Sequence, residues 1–119
     1  MPVPASDTPT SPALSVSTNL AGLTELVPIN PAKLATKRVL EAPGARIVLI
    51  GFDAGQELRE HTAGAPILIQ VLTGAVEIAV GGTAREYLPG GLIHIAARVP
   101  HALVAREPSH VLLTLLIAA

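Results

Sequence analysis

Residues 67–82 read ILIQVLTGAVEIAVGG, two short apolar runs separated by Thr73-Gly74 and closed by Gly81-Gly82. In the second run Val76, Ile78 and Val80 alternate with Ala75, Glu77 and Ala79, the period of two that marks a strand and sets Glu77 on the wetter face. The first run is apolar on both faces, apart from Gln70. An antiparallel strand of that kind has to be covered on both sides.

The same punctuation continues in both directions. Apolar runs are cut every eight to twelve residues by Pro43-Gly44, Ala54-Gly55, Thr73-Gly74, Gly81-Gly82 and Pro89-Gly90-Gly91, which is how an all-β sandwich or barrel reads. The predicted strands are Lys37 to Glu41, Ala45 to Asp53, Ile67 to Thr73, Val76 to Val80, Arg85 to Leu88, Leu92 to Ala96, His101 to Arg106 and His110 to Ile117. Eight strands suit a jelly roll. No stretch carries comparable helical spacing. The last run, VLLTLLI at 111–117, is again apolar on both faces, so either an N-terminal arm or a second subunit is expected to hide an outer face.

Upstream, residues 1–18 are rich in Pro, Ser, Thr and Ala and cannot bury enough apolar surface to offset their ordering, so a flexible tail is expected. Residues 19–36 carry Leu20, Leu23, Leu26, Val27 and Ile29 between Pro28 and Pro31, and read as an extended arm with a short turn laid along a barrel at 37–119. At 119 residues the chain is one domain's worth, large enough to close one core without disulfides or structural metal.

Composition removes several function classes. Eight Lys plus Arg against nine Asp plus Glu leave no basic block for phosphates, and Phe52 and Tyr87 alone make no base-stacking platform, so nucleic acid is not an expected partner. The most apolar stretch, Val111 to Ala119, is far shorter than the ~20 residues that cross a bilayer. No membrane partner is expected. The absence of Cys excludes thiolate chemistry and suits a reducing compartment, and with no signal-peptide pattern at the N-terminus a cytoplasmic protein is expected. There is no Gly-x-Ser-x-Gly elbow, phosphate-cradling loop or His-Glu-x-x-His, and Glu57, Glu60 and Glu86 form no acid–base pair by position.

What remains is four histidines, His61, His94, His101 and His110. His61 and His101 sit at strand entrances, the first after the Gly55 turn and the second after Val99-Pro100. His94, between Ile93 and Ile95, reads equally as a satisfied core imidazole or a ligand, and His110 reads as solvent-facing. Gln70 has the opposite parity to Ile67, Ile69 and Val71, so it faces out as a bonded amide unless a bulge shifts the register.

The spacing of these residues resembles the cupin superfamily. Its first motif runs from a Gly through five residues to a His-x-His pair, an acid and a closing Gly; Gly55, His61 and Gly74 match. Its second runs from Gly through a strand and Pro to a His; Gly90, Pro100 and His101 occupy comparable places. The likeness spans about Ala45 to Leu116, and HTAGAPILIQVLTGAVEI with PGGLIHIAARVPHALVA is similar to small bacterial single-domain cupins. The resemblance implies a double-stranded β-helix with a mouth lined by both motifs, usually assembled as a dimer. It also departs: the second His is Ala63, the acid position falls near Ile67, and Gly91, Ala96 and Ala105 replace the usual Asp, Pro and Asn of the second motif.

The expected pocket is therefore lined by His61, His101, His94, Ala63 and Ile67. A divalent transition metal (Fe, Mn, Ni or Zn) would draw its ligands from His61, His101, His94 and Gln70, and with two usual ligands missing it would bind weakly. The first functional reading is a small-molecule-binding barrel of undetermined ligand. The alternative is a metal-dependent cupin enzyme of lyase, isomerase or dioxygenase type, and a third is a dimeric scaffold with a plugged pocket. The apolar strands favour a homodimer, so light scattering at micromolar protein is expected to return twice the chain mass; a monomeric mass contradicts it.

Overall fold

The computed structural model describes residues 12–118. The alternating segments form strands, and two of them, β4 (Ile67–Thr73) and β5 (Val76–Val80), occupy the predicted ranges. The others are β1 (Ala35–Ala42), β2 (Ala45–Phe52), β3 (Glu57–His61), β6 (Thr83–Tyr87), β7 (Leu92–Ile95), β8 (His101–Ala105) and β9 (Ser109–Leu115). Nine strands are present where eight were expected. The additional one is β3, whose sequence ELREH has a single apolar side chain and hence no period-two signal of its own. It is a strand because the edge of β8 offers it a ladder.

The arm also differs from expectation. Part of it coils into a short helix, α1 (Leu20–Glu25), because Asn19 is extended and its side-chain oxygen accepts a hydrogen bond from the Gly22 N–H at 2.7 Å, a capping arrangement. Pro28 follows closely and cannot continue it. Of the expected tail, residues 1–11 lie outside the described residues.

The strands form two antiparallel sheets, β1-β2-β9-β4-β7 and β3-β8-β5-β6. Four of the pairings are nested: β5 with β6, β4 with β7, β3 with β8 and β2 with β9. This is one long hairpin, turned at Gly81-Gly82, rolled so that its layers face each other, the jelly-roll arrangement. The rolling has a consequence for distant segments. It sets the end of β3 opposite the start of β8, although these are forty residues apart in sequence.

Between the sheets lie Phe52, Ile67, Ile69, Val71, Val76, Ile78, Ile95, Leu103 and Val111. The outer face of β2 and β9 is covered by the arm. Leu49 and Gly51 pair with Leu112 and His110 on that face, and a Cβ on Gly51 would sit 3.1 Å from the Val27 carbonyl oxygen and 3.2 Å from its methyl. Val27 is accordingly buried, and Leu49, outside the inter-sheet cluster, is only 2% exposed.

His110, expected in solvent, is half-buried and fully bonded. Its Nε2–H donates to the Val27 carbonyl at 2.9 Å, which leaves Nδ1 to accept from the Thr73 hydroxyl at 3.0 Å. The Thr73 oxygen also accepts from the His110 main-chain N–H. This imidazole fastens the arm to the sheet and has no lone pair left for a ligand.

Gly74 closes the β4–β5 turn at φ 82°, and an added Cβ would lie 2.1 Å from Ser109 Oγ and 2.4 Å from the Pro108 carbonyl oxygen. Gly55, at φ 84°, has nothing within 4 Å of that position. Both alanine variants carry the left-handed penalty of about 1–2 kcal/mol, while only Gly74→Ala adds an overpacking cost of about 1–3 kcal/mol. Urea melts are expected to rank Gly74→Ala as clearly the more destabilised, and equal midpoints would contradict the close approach.

Candidate functional site

The decisive local feature is an irregularity in β3. Leu58 lies opposite Leu103, and an undisturbed ladder would bring Glu60 opposite His101; instead the register shifts between Leu58 and His61, and His61 is the partner of His101. One extra residue turns the side chain at position 61 to the face it would otherwise miss. His101 in turn pairs with Val80, and Val80 with Thr83. A row His61, His101, Val80, Thr83 therefore crosses the inner face of the four-stranded sheet. The next row is Leu58, Leu103, Ile78, Arg85.

The two imidazoles are in contact, with ring centroids 4.4 Å apart and planes inclined at 60°. Each is pinned in the same way. His61 Nδ1 lies 2.9 Å from the Arg59 carbonyl oxygen and His101 Nδ1 lies 3.0 Å from that of Val99. A carbonyl only accepts, so both Nδ1 atoms carry hydrogen, and in a neutral ring the lone pair is left on Nε2. The rings differ in exposure: His61 is exposed at the rim, whereas His101 is 1% exposed. His101 Nε2 is buried with no hydrogen-bond partner among the described residues. Leaving such an acceptor unpaired costs about 1–3 kcal/mol.

Beside this row is a cavity of about 330 Å³ lined by Ile78, Val80, Thr83, Arg85, Tyr87 and Ile93. Ile93 pairs with Ile69, a residue of the inter-sheet core, so the cavity lies between the two sheets on the β6 and β7 side. Ile78, Val80 and Ile93 make its wall apolar, Thr83 and Tyr87 add hydroxyls, and Arg85 adds a guanidinium. A larger groove of about 480 Å³ runs between the arm and β1, lined by residues such as Leu14, Leu26 and Lys37, and shares no residue with the imidazole row.

The remaining sequence candidates fall as follows. Ile67 is inside and 2% exposed, and Ala63 is half-buried against the core, its carbonyl accepting from the Arg98 N–H at 2.8 Å. His94 pairs with Leu68, opposite in parity to the buried Ile67 and Ile69, and is exposed on the outer face. Gln70 shares that parity, as its place in the strand required. The geometry thus brings His61 and His101 together and leaves His94 and Gln70 on the far side of the sheet, because β4 and β7 pair without a bulge between 67 and 70.

Arg85, Thr83 and Tyr87 were not among the sequence candidates. A signal existed: a two-residue Gly81-Gly82 turn sets Val80 opposite Thr83, and alternation then brings Arg85 and Tyr87 to the same face as Ile78 and Val80.

No protein-family model matches the chain, and no curated protein matches it. Solved structures do. A cupin 2 conserved barrel domain protein from Leptotrichia buccalis superposes with a TM-score of 0.75 at 28% identity, covering 81% of this chain and 47% of that one. A cupin superfamily protein from Desulfitobacterium hafniense gives 0.74 at 19% identity, over 80% and 87% of the two chains. The chain folds as a small cupin. A variant of salicylate 1,2-dioxygenase from Pseudoaminobacter salicylatoxidans shares the fold with a TM-score of 0.68 at 18% identity, over 72% of this chain and 27% of that one.

The cupin resemblance implies a metal at this place, so the donor set has to be tested against one. Two imidazoles with Nδ1 held by backbone and Nε2 free are in the form a metal takes. They supply two of the three or four protein ligands of a firmly held ion, and no group of three His, Cys, Asp or Glu side chains converges among the described residues. The set does not fit a tightly held resident metal. No helix among the described residues is long and apolar enough to cross a membrane.

Proposed function

We propose that this cupin is a small-molecule-binding protein whose ligand enters between the sheets and meets the His61–His101 pair. The observation that carries the reading is the buried, unpartnered Nε2 of His101, whose cross-strand partner Val80 lines the cavity. An orphaned acceptor at that place costs folding free energy that a ligand hydroxyl or N–H returns on binding. An apolar pocket with a small number of placed polar groups is the usual form of an organic-ligand site. Its volume of about 330 Å³ lies at the small end of the range for such sites, roughly 300–1,000 Å³.

The alternative, a metal-dependent enzyme, draws support from the matched orientation of the two rings, which share one tautomer and leave both Nε2 atoms free. Elemental analysis of freshly purified protein separates the two. The binding reading expects well under one equivalent of Fe, Mn, Ni or Zn and no thermal stabilisation on adding these ions. A full equivalent that is lost in both His61→Ala and His101→Ala would overturn it in favour of the enzyme.

A further inference from the structure

Arg85 is the charged side chain of the cavity, and it has no counter-ion among the described residues. Among the described arginines, Arg38 and Arg46 lie against Glu41, Arg59 against Glu57 and Arg106 against Glu77. Arg85 and Arg98 make no such pair among the described residues, and of these two Arg85 lines the cavity. The acid on the neighbouring strand cannot serve it, because Glu77 pairs with Glu86 on the opposite face of the sheet and is engaged by Arg106. On its own face Arg85 has Ile78 across the strand, with Thr83 and Tyr87 two residues to either side. An exposed guanidinium at the edge of this cavity, beside Ile78, Thr83 and Tyr87, presents its planar donor fork to whatever enters, and the fork matches a carboxylate.

The second fixed point is His101. Its strand is two inter-strand steps from β6, roughly 10 Å at main-chain level, with Val80 of the strand between lining the cavity. His101 Nε2 accepts and Arg85 only donates. The two ends of the site therefore ask for opposite chemistry, an anion at one and a hydrogen-bond donor at the other, joined by an apolar stretch along Ile78, Val80 and Ile93.

Resting on the reading of this cavity as the ligand site, we propose that its ligands are small hydroxy- or amino-monocarboxylates, with the carboxylate on Arg85 and the O–H or N–H donor on His101 Nε2. A neutral alcohol leaves the guanidinium unanswered and an unsubstituted carboxylate leaves His101 Nε2 unanswered, so both are expected to bind less tightly. Because Arg85 is exposed to water, its contribution is screened and falls with salt.

The test uses 6-hydroxyhexanoate, hexanoate and 1,6-hexanediol as probes, followed through the methyl resonances of Ile78, Val80 and Ile93 in the full chain. The hydroxy acid is expected to shift these methyls and to bind about tenfold or more tightly than the diol, as a charge-assisted hydrogen bond provides. It is also expected to outbind hexanoate. In Arg85→Gln the preference over the diol is expected to vanish while the diol still shifts the methyls, which shows the cavity intact. Equal affinity for acid and diol, or a preference that survives Arg85→Gln, would overturn the assignment of Arg85 and leave the cavity as the ligand site. If no probe moves these methyls, the cavity reading fails and the proposal fails with it.

Discussion

A single residue out of register in β3 decides what this fold can do. Without the shift between Leu58 and His61, the inner face at that position would carry Glu60, and His101 would lie against a carboxylate instead of a second imidazole. With it, two rings of the same tautomer stand 4.4 Å apart at the entrance to the inter-sheet space. That pairing stands a second imidazole beside the ring whose Nε2 is buried without a partner. Bulges of this kind cost little in an edge strand, where the other side of the ladder is unpaired; β3 is such an edge.

The rest of the molecule holds this edge in place by ordinary means. The nested hairpin brings β3 to β8, the Val99 and Arg59 carbonyls fix the rings, and the inter-sheet core from Phe52 to Val111 sets the spacing between the layers. On the other sheet the arm is fastened by His110, which spends both ring nitrogens on Val27 and Thr73. Histidines of one chain thus serve opposite ends. One is bonded at every polar atom and is structural; another is buried with an atom to spare, on which the proposed ligand site rests.

Much of the fold was legible because its signals are local. Alternation in 76–80 and the paired glycines at 81–82 gave strands and turn in register, and Gly74 was visible as a motif residue before its left-handed φ and its contact with Pro108 and Ser109 explained the need for glycine. Parity placed Gln70 outside without any coordinates. What escaped was non-local. The strand Glu57–His61 has no apolar period and exists through its partner, the helix Leu20–Glu25 depends on one Asn19 cap, and the two bonds of His110 join residues far apart in the chain. Arg85 was overlooked for a different reason, since its face follows from the hairpin turn only once that turn's length is trusted.

The pairing of His61 with His101 is the claim to test first, and a chain without cysteine makes the test clean. Directly opposed antiparallel residues have Cα atoms about 4.5–5.5 Å apart, within the range of about 4.4–6.8 Å that a disulfide accepts. The combination His61→Cys with His101→Cys is expected to oxidise to an intramolecular disulfide in the folded protein, seen as an alkylation-resistant pair by mass spectrometry, while Glu60→Cys with His101→Cys stays reduced. Bridging in the second combination and free thiols in the first would mean that β3 runs without its bulge, and the account of the site would be wrong.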